Sequence, residues 1–509
     1  MTASDSFMPI TLSSGVRAAA ARTPDKVALT EDERSLTYAG LVKRIDQVAS
    51  LALGGLGLKP GEHVALMSPN CIEYFEIVCG ISSAGMATAM VNPRLTAREA
   101  AYICNDSRAR VLFVHASLED LARSADLQTV ERIIVIGKDY EELLGRARPL
   151  AEPVAVGEND IFAIPYTAGT TGQPKGVLLS HRSRAITFFS MAVEYGCYSM
   201  DDRSLAIAPL YHGGGFAFAM APIFFGGSCD ILTRFDPELV LQRFATQGIT
   251  NTFMVPTHFN AVFALGEATL ARYKAPHLRT IISNAAPLPQ ATKEKIVAMF
   301  GAGILHETYG STEGGIVCNL RPVDQLRKTQ CVGMPFPCTE VRLLDEQGND
   351  VAPGAVGELY SRSPCLFSGY WGKPDATGEA FRGEWLTVGD MARRDEEGYL
   401  YLVDRKKDLI ISGGVNIYPR EIEEVLHAHS SIIEAAVIGV PDDYWGEAVK
   451  AFVVVRPGAT VTAEDLIVYC KENLAGYKLP KSFDFVSALP RNAAGKVLKR
   501  ELRASEQKS

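Results

Sequence analysis

The chain has 509 residues, 47% hydrophobic and 22% charged, an ordinary globular balance at a length too great for a single core. Its 51 basic and 59 acidic residues give a net charge of −8, which argues against a general nucleic-acid binder with its broad basic face. Ten cysteines include no CxxC pair, and the spacing from Cys331 to Cys338 fits no zinc pattern, so reduced thiols in a cytoplasmic protein are expected.

In chain order, the first residues lack the charged start and apolar run of a secretory signal. Residues 161–166 predict an apolar strand. The long apolar stretch 204–233 could be weighed as a membrane span by length, but Pro209, His212, three consecutive glycines and Pro222 break it. It predicts a strand at 204–209, a buried helix at 215–225 and a strand at 228–233. A helix follows over 236–248, with Asp236 as N-cap, Pro237 at its first position and Gly248 as its stop. Residues 249–255 and 280–283 predict further strands. Strands alternating with helices imply a parallel or mixed sheet with helical cover, whose ligands sit at the carboxyl ends of the strands.

The last hundred residues are patterned differently. Strands are expected at 399–403, 409–412, 433–440 and 449–455, and helices at 419–428 and 463–474. The expected organisation is therefore an α/β protein: a large domain over 1–404, a hinge at the charged run 405–408, and a small mobile α+β domain over 409–509. On its own the run Asp404-Arg405-Lys406-Lys407-Asp408 would be a solvated turn; its place between two differently patterned halves favours a linker. No internal repeat or low-complexity tract occurs.

The strongest local signal is Tyr166-Thr-Ala-Gly-Thr-Thr-Gly-Gln-Pro-Lys-Gly176. Small residues let backbone N–H groups approach phosphate oxygens, the threonines add donors, and Lys175 adds charge. It is not the GxxxxGK[ST] loop, because Pro174 precedes the lysine and no hydroxyl residue follows it.

This string resembles the phosphate-loop signature of the adenylate-forming superfamily, which includes acyl- and aryl-CoA ligases. Tyr309-Gly-Ser-Thr-Glu313, Thr387-Val-Gly-Asp390, the run 404–408 with Ser412-Gly-Gly-Val-Asn-Ile-Tyr-Pro419, and Pro490-Arg-Asn-Ala-Ala-Gly-Lys496 match its further motifs in order. Leu36-Thr-Tyr38 is similar to its N-terminal motif. The nearest likeness is to the 4-chlorobenzoate and fatty-acyl-CoA ligases.

The resemblance implies ATP, Mg²⁺ and coenzyme A as partners of a small carboxylic acid. It implies a carboxylate attacking the α-phosphate of ATP, two anions that must be neutralised before they meet. Thr167, Gly169, Thr170, Thr171, Gly172 and Lys175 would hold the phosphates. Thr312 would contact the α-phosphate, and Glu313 with Thr170 would hold the metal. Tyr309, Gly310 and Ser311, with Ser283, Asn284, Ala285 and Ala286, would enclose the adenine. Asp390 would accept from the ribose hydroxyls, and Arg405 would add donors. Lys496 would be catalytic, as a point charge bridging carboxylate and phosphate.

The acyl pocket would be lined by Tyr211, His212, Gly213, Gly214, Gly215, Phe216, Ile281 and Gly314. The three glycines could widen it or could serve tight packing. No aspartate lies between Leu205 and Ser228 to pair an ammonium, so an amino-acid substrate is disfavoured, and an aromatic or medium- to long-chain aliphatic acid is expected. Ser412, Gly413, Gly414, Trp445, Tyr477 and Lys481 would meet coenzyme A after the small domain turns about Lys407. Leu479 stands where a related ligase has arginine. The alternatives are loading of a separate carrier-protein thiol, or a catalytically silent nucleotide binder on the same fold. No nucleic-acid partner and no integral membrane segment are expected; a homodimer is left open.

Overall fold

The computed structural model describes residues 8–148, 150, 154–167, 173–413, 415–491 and 497–506. It is an α/β protein whose contacts gather into two compact units. One comprises residues 1–341 and 361–386; the other comprises 342–360 and 387–509. The expected hinge at 405–408 lies inside the second unit.

The first unit is built on two sheets. In one, Arg203–Ala206, Ser228–Ile231, Asn251–Met254, Thr280–Ser283 and Leu305–Ser311 run parallel, with antiparallel Gly315–Leu320 added beyond the last. In the other, His63–Met67, Ala87–Val91, Ala109–His115, Arg132–Ile136 and Ile161–Thr167 are parallel. These strands are buried on both faces, which is why they read as continuous apolar runs without alternation.

The apolar stretch 204–233 divides as strand Arg203–Ala206, helix Gly213–Phe225 and strand Ser228–Ile231. Among the described residues no helix is long and apolar enough to cross a membrane. The helix starts two residues before the expected point, with His212 at its N-cap, and is buried from Gly215 to Phe224. It packs in the middle of the unit's main core: Phe216 lies 5.9 Å from Phe75 and 6.3 Å from Phe162, and Phe218 stacks on Phe253 at 4.1 Å. Helix Pro237–Thr246 forms as expected. Asp236 Oδ1 accepts from the N–H groups of Glu238 and Leu239 at 3.0 and 2.9 Å, and Gly248 takes a left-handed φ of +64°. Tyr38 of the N-terminal motif is a packing residue: it is buried, and its hydroxyl donates to the carbonyls of Ile223 and Gly227 beyond the central helix.

In the second unit Asp390–Arg394 pairs antiparallel with Leu400–Arg405, and residues 356–358 join its other side. A hairpin of Ile432–Asp442 with Gly446–Val455 carries both Ser482–Phe485 and Ile410–Ser412 along the outer side of Gly446–Val455. Helices Pro419–Ala428 and Ala463–Asn473 cover it over a separate core of Ile417, Ile422, Leu426, Val437, Val449, Ala451 and Leu466. The hairpin strands extend beyond the expected 433–440 and 449–455, because ladder pairing carries them through Pro441 and Gly446.

Candidate functional site

Parallel strands deliver their following loops to one edge of a sheet, and the first unit uses that edge. From Arg203–Ala206 come Tyr211 and His212. From Thr280–Ser283 come Asn284, Ala285 and Ala286. From Leu305–Ser311 comes the tight turn carrying Thr312 and Glu313. That turn is closed by the pairing of Ser311 with Gly315 and by Gly314 N–H donating to Ser311 Oγ at 2.8 Å. A register shift between Tyr309 and Gly310 re-aims the strand just before it. A Cβ at Gly310 would lie 2.1 Å from the Gly315 carbonyl oxygen, so only glycine lets the turn close.

Of the Gly- and Thr-rich motif, Gly169, Thr170, Thr171 and Gly172 lie outside the described residues. Both flanks are held: Thr167 pairs with Lys175 and Tyr166 with Gly176, and Tyr102 Oη donates to the Pro174 carbonyl at 3.1 Å. Thr167 Oγ1 donates to Glu313 Oε1 at 3.2 Å. Thr167, Lys175 and Glu313, far apart in sequence, therefore share one locality through a residue that motif reading does not single out. Tyr370 Oη donates to the same Glu313 oxygen at 3.0 Å, and Lys175 Nζ lies 4.9 Å from the centre of the Tyr370 ring. Burial and the Glu313 carboxylate raise the Tyr370 phenol well above its ordinary range, so it stays a donor. Trp371 N–H donates to the Gly176 carbonyl, which fixes the tyrosine against the loop's exit. The only sequence hint of Tyr370 is the Gly369-Tyr370-Trp371 string.

The second oxygen of Glu313 takes no hydrogen bond from any described residue. One largely buried carboxylate with a free oxygen fits a hard cation that shares its shell with phosphates. Among the described residues no group of three His, Cys, Asp or Glu could hold a metal.

The acyl side of the expectation divides. Gly213 places a hypothetical Cβ 3.4 Å from the Thr312 methyl, an ordinary contact beside the turn. At Gly214 nothing lies within 4 Å. At Gly215 a Cβ would sit 2.0 Å from the Pro209 carbonyl oxygen. Gly214 thus leaves space, while Gly215 serves close packing. Phe216 is a core residue against Phe75 and Phe162. Ile281 requires correction: it packs with Val240, Leu241 and Ile296 on the far face of the sheet, whereas its neighbour Ile282 shares the face of Phe218 and Phe253. Successive strand residues point oppositely, so the two cannot both look toward the central helix. His212 lies against Tyr211 at 4.5 Å, and burial, with Arg94, lowers its imidazole to about 4, so it is neutral at physiological pH. Asn284 Oδ1 accepts from Ala285 N–H at 2.5 Å, and Ala285 adopts φ +75°, a left-handed turn that an alanine rarely holds.

The second unit contains the remaining candidates. Asp390 and Arg405 are ladder partners, with Arg405 Nε 3.1 Å from Asp390 Oδ1. Lys407 lies in a single 3₁₀ turn, Lys406–Asp408, flanked by ion pairs of Lys406 with Glu358 and of Asp408 with Arg503. Asp404 Oδ2 accepts the Arg420 N–H at the start of helix Pro419–Ala428, at 2.8 Å. Gly413 adopts φ +57° against the Trp445 ring, and its N–H donates to the Trp445 carbonyl at 2.7 Å. Ser412 pairs with Val415 and Gly446. Trp445 and Tyr477 are exposed, and Lys481 is held by its backbone to Val449. Leu479 packs against the small core. Gly414 and Lys496 lie outside the described residues.

A model of the AMP-binding enzyme family matches residues 16–371, and a model of the AMP-binding enzyme C-terminal domain matches 421–496. A long-chain-fatty-acid–CoA ligase of Yersinia pestis is 34% identical over 96% of this chain and 93% of its own. A feruloyl-CoA synthase of Amycolatopsis sp. is 35% identical over 94% and 96%. The ATP-bound crystal structure of MatB from Rhodopseudomonas palustris superposes with a TM-score of 0.90 at 30% identity, covering 98% of this chain and 99% of that one. Motifs, fold and relatives agree: the chain belongs to the AMP-binding enzyme family, the adenylate-forming superfamily, in its acyl- and aryl-CoA ligase branch.

Proposed function

We propose that the protein joins a carboxylic acid to coenzyme A in two steps at the expense of ATP. The acid's carboxylate attacks the α-phosphate, pyrophosphate leaves, and the coenzyme A thiol then displaces AMP from the acyl-adenylate. The observation that carries this reading is the cluster of Lys175, Tyr370, Glu313 and Thr167 beside the turn bearing Thr312. It sets a cation and a hydroxyl donor about a carboxylate at the exit of the Gly- and Thr-rich segment, fixed before substrate arrives, which supports phosphate binding there. Bound magnesium would neutralise charge on the leaving phosphates. Glu313 would orient it through the oxygen that Thr167 and Tyr370 leave free. Asp390 would take the ribose hydroxyls, Arg405 would add donors, and Lys496 would bridge the two reacting anions. Turning of the residues after the hinge about Lys407 would then bring Ser412, Gly413, Gly414, Trp445, Tyr477 and Lys481 to coenzyme A.

The acid is read as aromatic or medium- to long-chain aliphatic. The apolar wall of Phe218, Phe253 and Ile282 supports this, as do relatives named for long-chain fatty acids and feruloyl groups. Pyrophosphate release from Mg-ATP is measured with a panel of acids, then thioester formation with coenzyme A. Release without thioester would keep the adenylation and overturn the acceptor; no release with any acid would overturn the whole reading.

A further inference from the structure

Helix His181–Tyr195 carries a charge that the steps above do not use. Arg184 is only 5% exposed, yet it forms no hydrogen bond or ion pair with any described residue. Lys293, equally enclosed, meets Glu307. A guanidinium keeps its proton under all ordinary conditions, so burial without an anion is costly and persists only where something compensates. Burial lowers it to about 10, and among the described residues the titratable group that opposes this is the Cys365 thiol, itself buried and neutral.

The neighbours show what this face of the helix meets. Thr187, three residues on, shares its helix face. A Cβ built on Gly315 would lie 3.9 Å from Thr187 Oγ1 and 3.2 Å from Cys365 Cβ. Thr187 and Cys365 thus lie beside Gly315, which follows Thr312 and Glu313, and Arg184 stands one turn before Thr187 on a helix that packs against the one beginning at Gly213. Ser183, Thr187 and Ser190 on the same helix are small, polar and buried, and none brings a negative charge.

We propose that Arg184 receives a second anionic group of the acid, so that this protein takes acids bearing a carboxylate at the end remote from the one activated. The proposal rests on the adenylation reading and narrows its substrate class. The acid's body would lie beside Phe218, Phe253 and Ile282, and its far carboxylate would supply a counter-ion that no described residue provides; a planar guanidinium suits a carboxylate by two parallel hydrogen bonds. A phosphate of the nucleotide is the rival source of the anion.

The test uses the full chain, Mg-ATP and matched acids: octanoate against suberate, and benzoate against terephthalate. Wild type is expected to release pyrophosphate with at least tenfold higher kcat/KM on one diacid than on its monoacid. R184M should lose at least tenfold on that diacid, keep or gain activity on the monoacid, and leave the KM for ATP unchanged. R184K should retain part of the preference. R184M should also melt no lower than wild type, since a buried unpaired charge is removed, and 5 mM of the preferred diacid should raise the melting temperature of wild type but not of R184M. Equal losses on both acid classes, a wild type that favours monoacids, or a loss confined to the KM for ATP would each overturn the proposal. In those cases pyrophosphate release by wild type still stands, whereas absence of release with every acid removes the adenylation reading and this proposal together.

Discussion

Replacing Tyr370 by phenylalanine deletes one oxygen and leaves the ring under Lys175. The lost bond, 3.0 Å from the phenol to Glu313 Oε1, joins a neutral donor to a carboxylate that is 8% exposed. Hydrogen bonds to charged groups contribute about 1.5–3 kcal/mol. With about 1.4 kcal/mol per factor of ten, the variant should lose roughly ten- to hundredfold in kcat/KM for Mg-ATP. Because Thr167 is then the one donor to Glu313 among the described residues, the carboxylate should swing more freely, and the magnesium concentration for half-maximal rate should rise by a similar factor. Pyrophosphate release titrated with magnesium at fixed ATP reads this directly, and a melting curve separates it from misfolding. A variant whose magnesium dependence matches wild type, with only kcat lowered, would refute the role given to Tyr370.

Gly214→Ala should fold and change the ranking of acids by size, since its Cβ meets nothing within 4 Å, whereas Gly215→Ala, 2.0 Å from a carbonyl oxygen, should cost about 1–3 kcal/mol or more and lower the melting temperature. Lys496→Ala should abolish pyrophosphate release yet largely spare thioester formation from synthetic acyl-AMP; equal loss of both would refute the division of roles. His181, His212, His258 and His306 are each lowered from 6.5 to about 4 by burial. The unfolded chain therefore binds more protons, so stability is full above about pH 6.5 and declines as pH falls from there to 4. A melting temperature that stays flat between pH 6.5 and 5 would contradict this.

Sequence reading reached the structure where residues act locally. Asp236, Pro237 and Gly248 announce a helix because capping and stopping are decided within a few residues. The turn of Thr312 and Glu313 is written in its glycines for the same reason. Tyr370 and Arg184 escaped because their meaning depends on partners, or the lack of them, distant in the chain: 57 residues separate Tyr370 from Glu313. Ile281 was placed on the wrong face because Thr280–Ser283 is buried on both sides, so no polar alternation marks which residue looks where. The second unit's membership was equally illegible, since strands 356–358 and 390–394 join it through ladder pairing and leave no local mark.

The bond from the Arg420 N–H to Asp404 has an energetic corollary. The donor is one of those a helix leaves unsatisfied in its first turn, and Asp404 lies immediately before the 3₁₀ turn that contains Lys407. Swivelling at Lys407 would hand that N–H to water, exchanging one good partner for another at a net penalty of about 1.5–3 kcal/mol. Were the proposed turn about Lys407 to break this bond, a latch of that strength would be one that a millimolar ligand could open.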